Sequence, residues 1–172
     1  QADAVAIGYQ AATTIQRQIS YASGYFAAAG DAQGSMIVVK ADITGTAQTA
    51  LEANGAINID ANRIVNFRVD AVGICTDGGD GIGIAGGDAW ASWHVGAIKR
   101  IGTTTSLVGA VQVPATAQAD TGMATTTVTI DADDTNEALR IRITPPTTAG
   151  STTDTRWVAT VHLTELGFAI TG

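Results

Sequence analysis

Residues 63–71 read Arg63-Ile64-Val65-Asn66-Phe67-Arg68-Val69-Asp70-Ala71. Val65, Phe67, Val69 and Ala71 take alternate positions, and Asn66, Arg68 and Asp70 fill the gaps. Successive side chains of an extended chain point to opposite faces, so the pattern predicts a strand with one face in a core and the other in water. The same period returns later. Leu139, Ile141 and Ile143 alternate with Arg140, Arg142 and Thr144, and Trp157, Ala159, Val161 and Leu163 alternate with Val158, Thr160, His162 and Thr164. No segment sustains the 3.6-residue period of an amphipathic helix.

Outward from that stretch, further strands are expected at 36–39, 56–59, 91–100, 106–113, 125–131, 138–144 and 156–166, with Asn54-Gly55 as a turn between the first pair. Pro145-Pro146 and the Thr/Gly/Ser-rich run to Thr153 read as a long hairpin tip joining the last two strands. About eight strands at this spacing predict an all-β fold, an antiparallel β-sandwich or jelly-roll-like domain. Composition agrees: charged residues are 15% of the 172-residue chain and aromatic residues 5%, with the apolar share drawn largely from Ala and Val. Long helices would ask for more Leu, Glu, Lys and Arg.

The net charge of −7 rests on only nine basic residues, spread along the chain. Nucleic-acid binding needs clustered Lys and Arg and is therefore not expected. No run nears the roughly 18 consecutive apolar residues of a membrane span, and the N-terminus lacks signal-peptide character, so no membrane insertion is expected. The single Cys75 can form no intrachain disulfide and reads as a buried thiol. Gln at position 1 suggests processing or a fragment of something longer.

Carboxylates among glycines in Asp77-Gly78-Gly79-Asp80-Gly81-Ile82-Gly83-Ile84-Ala85-Gly86-Gly87-Asp88 could cage a cation through Asp77, Asp80 and Asp88, but the spacing matches neither the helix-loop-helix calcium loop nor the β-roll calcium repeat. A mobile glycine-rich loop is the simpler reading. Asp131, Asp133, Asp134 and Glu137 lie between two strands, where such residues stabilise turns. His94 and His162 each fall inside an expected strand, and no nucleophile-elbow, phosphate-loop or metalloprotease spacing accompanies them, so no enzyme and no cofactor is expected. Trp90 and Trp93 are three apart and point to opposite faces of a strand. Trp93, Val95 and Ala97 make the more apolar set, which leaves Trp90 with His94 as the candidate exposed aromatic patch for a sugar or protein receptor; a bulge at Gly86-Gly87 would instead bury Trp90. Trp157 reads as core.

Residues 1–34 carry little that could build a core of their own, and they repeat a phrase. Ala6-Ile7-Gly8-Tyr9-Gln10-Ala11 returns as Ala22-Ser23-Gly24-Tyr25-Phe26-Ala27. Small residues with an aromatic or two per copy suit close approach of chains that cannot bury their own surface. The phrase resembles the A-I-G-x-x-A repeats of trimeric β-roll adhesin heads, which also occur in bacteriophage fibre proteins; the second copy departs with Ser23 where the first has Ile7. Tyr21 to Gln33 leading into a β domain, followed by Ser106-Leu107-Val108-Gly109, Asp134-Thr135-Asn136-Glu137-Ala138-Leu139 and Arg156-Trp157-Val158-Ala159, is similar to the distal part of phage tail-fibre and related virion appendage proteins.

That resemblance implies a homotrimeric fibre of the virion, without cofactor, whose tip meets a host-surface polysaccharide or protein and whose other partners are virion proteins. It carries no catalytic motif and no binding residue across. The expectation is a β-roll-like trimeric stem over residues 1–34, with Ile7, Gly8, Tyr9, Gly24, Tyr25 and Phe26 at the chain contacts, and a β tip over residues 35–172. The alternatives are a capsid decoration or head-fibre protein and a polysaccharide depolymerase.

Overall fold

The computed structural model describes residues 4–15, 17–26, 28–52 and 56–168; the expected Asn54-Gly55 turn and Ala27 of the repeat lie outside them. Twelve strands are seen among the described residues: β1 (Val5–Gly8), β2 (Ile19–Ala22), β3 (Ala32–Thr44), β4 (Thr49–Ala50), β5 (Ile57–Asn58), β6 (Arg63–Asp77), β7 (Ala89–Ile101), β8 (Thr104–Leu107), β9 (Gln118–Ala119), β10 (Thr127–Asp133), β11 (Ala138–Thr144) and β12 (Asp154–Gly167). A larger sheet runs β1-β2-β3-β12-β6-β7-β8, with β9 also beside β7. A smaller one runs β10-β11-β4, with β5 also beside β11. The all-β sandwich expected from the alternation is present, and β1 with β2 form a parallel pair in an otherwise antiparallel larger sheet.

The core forms where the two inner faces meet. Val65, Phe67, Val69 and Ala71 of β6 are buried on the face read from the sequence, and Cys75 continues it. Trp157, Ala159, Val161 and Leu163 of β12 flank them, Ile37, Val39 and Ile43 of β3 follow, and Leu139, Ile141 and Ile143 of β11 close the sandwich from the other sheet. Each Val, Leu, Ile or Phe side chain among them contributes about 1.5–3 kcal/mol by leaving water.

Four expectations are corrected. β11 and β12 are not a hairpin: β11 lies in the smaller sheet, β12 in the larger between β3 and β6, and residues 145–153 cross from one sheet to the other. Both edges of β12 are taken along its length by thirteen- and fifteen-residue partners, which leaves no place for β11. The count of strands exceeds eight because β1, β2 and the two-residue β4 and β9 join the eight expected ones. The strand expected over 106–113 is Thr104–Leu107; Gly109, at φ 79°, turns the chain away, and only Gln112 returns to bridge Val95. The division at 34/35 falls inside β3, so β1 and β2 extend the larger sheet through the β2–β3 pairing.

Register gives the sandwich two ends. Ala32, Leu166, Ile64 and Lys99 lie toward the end where β2 attaches, and Thr44, Asp154, Asp77 and Ala89 toward the other. Thirteen residues of strand separate them, on the order of 40 Å. No helix among the described residues is long and apolar enough to cross a membrane.

Candidate functional site

The repeats sit at the first end. β1 and β2 pair with Val5 opposite Ile19 and Gly8 opposite Ala22, and the Tyr9 and Tyr25 rings lie 6.1 Å apart, so the aromatic of each copy meets that of the other. Gly8 has φ 101°, and a Cβ there would collide with the Ala22 carbonyl. Gly24 is unlike it: nothing within the chain comes within 4 Å of the place a Cβ would take. All four residues of β1 are exposed, and Ile7, Tyr9, Tyr21, Tyr25 and Phe26 are open to water, Phe26 at 75%. A strand with neither face covered has little of its own to hold it.

A buried polar network ties this segment down. Gln18 accepts the N–H groups of Thr14 and Ile15, and Asp31 accepts those of Phe26 and Ala28. Gln33 accepts from the Ala12 N–H and donates to Glu165, which also accepts from the Ser35 hydroxyl. Arg63 donates to the Gly30 carbonyl and stands 3.5 Å from Glu165 and 3.2 Å from Asp60. Burial pushes the Glu165 carboxyl above its usual range, against the pull of these donors and of Arg63. Sequence reasoning missed this network because Gln33, Ser35, Arg63 and Glu165 are isolated polar residues in strands whose neighbours carry the pattern, and Gln18 and Asp31 lie in loops just ahead of strands.

At the opposite end three loops interlock. Asp80 accepts from the Thr152 N–H, the Thr152 hydroxyl and the Ser151 hydroxyl. Thr153 donates to the Gly78 carbonyl, Ile82 N–H to the Thr148 carbonyl, and Thr148 to the Gly122 carbonyl. The stretch 77–88, expected to be mobile, is thereby fastened, and it presents Ile82, 85% exposed, at its surface. As for a cation, Asp77 accepts the Gly79 N–H and Asp88 the Ala85 N–H. These carboxylates serve their own loop, and among the described residues no three His, Cys, Asp or Glu side chains are grouped as a metal would require. Asp133 likewise accepts from Thr135 and Asn136 and closes its turn, while Asp131 pairs with Arg140 and Arg142.

Those donors hold the Asp80 carboxyl well below the usual carboxylate range. A depressed folded pKa gives stability that is present above the unfolded value and lost as pH falls through the folded one. The Thr152 amide is therefore expected to stay protected from hydrogen exchange down to below about pH 4. Asp80→Ala should speed its exchange about tenfold or more. An unchanged Thr152 rate would show that the clamp does not hold the loops.

Trp90 and His94 are not the exposed patch expected of them. They are 4% and 5% exposed. Just ahead of β7 the Cys75 N–H donates to the Asp88 carbonyl while the Cys75 carbonyl accepts from the Gly87 N–H, and Gly87 has φ 100°, so two residues face one as in a glycine bulge, next to where a bulge was anticipated. Pairing decides their side: Trp90 lies opposite Gly73 and His94 opposite Val69, on the face of the β6 core residues. Trp90 meets Trp157 edge-to-face at 5.7 Å. Burial lowers the His94 pKa and keeps the ring neutral, and no hydrogen-bond partner for Trp90 Nε1 or His94 Nε2 is found among the described residues. Trp93 is the outward tryptophan, 36% exposed with the Arg68 guanidinium 5.0 Å from its ring. His162 is also outward, 3.6 Å from Asp70.

The outward face of the larger sheet carries a shallow apolar groove of about 690 Å³ floored by Val72, Ile74, Ala91 and Val158 and rimmed by Gln118 and Arg156. It adjoins a smaller one of about 290 Å³ beside Trp93, Arg68 and Asp70. Neither a family model nor a curated protein sequence matches the chain.

Proposed function

We propose that the chain is a non-enzymatic attachment protein, the homotrimeric distal part of a virion fibre, whose far loops meet a host-surface glycan or protein. The observation that carries this reading is the concentration of exposed apolar side chains on residues 5–26, where β1 has both faces bare. Surface of that kind is covered by other copies of the chain in a closed symmetric assembly. The fastened loops around Asp80 lie about 40 Å from the repeats, where an assembly joined at one end would present them in three copies. Three weak contacts on one cell surface then gain through avidity.

Gly24 gives the test. A valine there meets nothing within its own chain, so any effect on assembly reports a neighbouring copy. Light scattering is expected to give three times the chain mass for the parent and a mixture shifted to lower mass for Gly24→Val, with the main thermal transition unmoved. A single-chain mass for the parent, or a variant that assembles and melts as the parent does, sinks the trimeric reading. Retention on bacterial cells, reduced by Ile82→Asp, supports receptor contact at the far loops; retention on empty capsids alone favours a decoration protein instead.

A further inference from the structure

The larger sheet buries one face in the sandwich and leaves the other bare. On that bare face Val38, Val72, Ile74 and Val158 are each 42–54% exposed, which is far from what a β-branched side chain on a central strand shows in a covered sheet. They are neighbours: Val158 stands opposite Val72, Val72 opposite Ala91, and Thr160 between Val38 and Asp70. Trp93 lies two residues from Ala91 on the same face.

We infer that this face is a second contact surface between copies of the chain, so that the sandwiches, and not the repeats alone, hold the assembly together. Three features of the face choose a copy of itself over another partner. The first is size. Four adjacent strands of thirteen to fifteen residues, at roughly 3.3 Å per residue and about 4.8 Å apart, offer on the order of 800 Å² per chain. In a threefold assembly that face is shared between two neighbours, about half to each, and adds to what the repeats bury there. The second is charge. Arg156 with Asp42 at 3.2 Å, and Arg68 with Asp70 at 2.9 Å, set both signs side by side around the apolar patch. In a threefold ring one half of the face meets the other half of the next copy, so a face that holds both signs can match charge across each seam, whereas a charged ligand would select one sign. The third is shape: short β-branched side chains on a sheet make a low, ridged surface of the kind that interdigitates with another sheet.

The inference rests on the trimeric reading but fails separately from it. Trp90 and Trp157 are buried in the chain itself, which makes Trp93 a reporter of this face. Two measurements on the full chain suffice: the light-scattering mass over a dilution series, and acrylamide quenching of tryptophan fluorescence. For the parent, a three-chain mass with quenching as weak as that of buried tryptophan is expected. For Val72→Lys with Val158→Lys, whose side chains point away from the core, the half-dissociation concentration should rise about tenfold or more, with Trp93 quenching restored. A three-chain parent in which acrylamide reaches Trp93 freely overturns the inference, whatever the variant's mass, and leaves the trimer to the repeats, with the face open to some other partner. A protected Trp93 with no change of mass in the variant also overturns it. A single-chain parent overturns both readings at once.

Discussion

Trp157→Ala is expected to cost about 3–5 kcal/mol of unfolding free energy, much of what holds a domain of this size folded. The indole is 1% exposed, donates through Nε1 to the Thr155 hydroxyl at 2.9 Å, and lies against Trp90. It also fills the space over Gly73 on the neighbouring strand, where any Cβ would overlap its ring. Removing the ring leaves a cavity between the two sheets that the paired strands are too constrained to close. Gly73→Ala in the parent should cost about 1–3 kcal/mol by overpacking, yet be close to neutral once Trp157 is alanine. Urea unfolding of the two single variants and the double variant measures this coupling. Additive costs would show that Gly73 is small for a reason other than the tryptophan.

The same pair of residues explains what could be read from the sequence and what could not. β6, β11 and β12 were legible because alternate positions in 65–71, 139–143 and 157–163 are apolar without a break, and the core lies on that face. β7 was misread for the converse reason. Its inward positions are Trp90, Ser92, His94, Gly96 and Ile98, which look mixed and polar beside Trp93, Val95 and Ala97. The ring of Phe67 occupies the volume a side chain at 96 would need, as Trp157 does at 73. Where a large residue reaches across from the next strand, a small one is the fitting partner, and alternation within a single strand does not register volume supplied by another. The crossing at residues 145–153 was hidden likewise. A Pro-rich loop between two alternating strands reads as a hairpin, while the contacts that fasten it run from Asp80 to Thr152 and from Ile82 to Thr148, well apart in sequence.

The repeats were legible as repeats, and their aromatics do meet, but their placement as an extension of the larger sheet depends on polar residues with no pattern. Gln33 and Glu165 are buried and bond across long spans of chain, while the buried Gln18 and Asp31 accept from N–H groups three to five residues away. Such groups are tolerated inside only when hydrogen-bonded, so Gln33 and Glu165 each reflect a partner elsewhere, and Gln18 and Asp31 each close a loop of their own.

Removing the cation from that network is the other change expected to have a large effect. Arg63→Met keeps the length of the side chain, withdraws the charge facing Glu165 and the hydrogen bond to Gly30, and should cost about 3–5 kcal/mol at pH 8, where an ionised carboxylate is left buried without its counterion. The cost should shrink at pH 5. Burial already raises the Glu165 pKa above its unfolded value, with the Gln33 and Ser35 hydrogen bonds and then the Arg63 charge opposing the rise. The folded state therefore holds this proton more tightly than the unfolded chain, and the stability that Glu165 lends is full below its unfolded pKa and lost as pH rises through the folded one. Deleting Arg63 removes one of the opposing causes, so in the variant that loss extends to higher pH and grows. Adding Glu165→Gln keeps an acceptor for Gln33 and Ser35 without the charge, and it should recover much of the loss at pH 8 and flatten the dependence. Equal costs at pH 5 and pH 8 in urea unfolding would mean that Arg63 acts through the Gly30 carbonyl and its own packing alone. If the carboxylate is the cause, the weakened network reaches Ala12 through Gln33, and the parallel strands beside it should lose amide protection in step with the sandwich as the pH is raised.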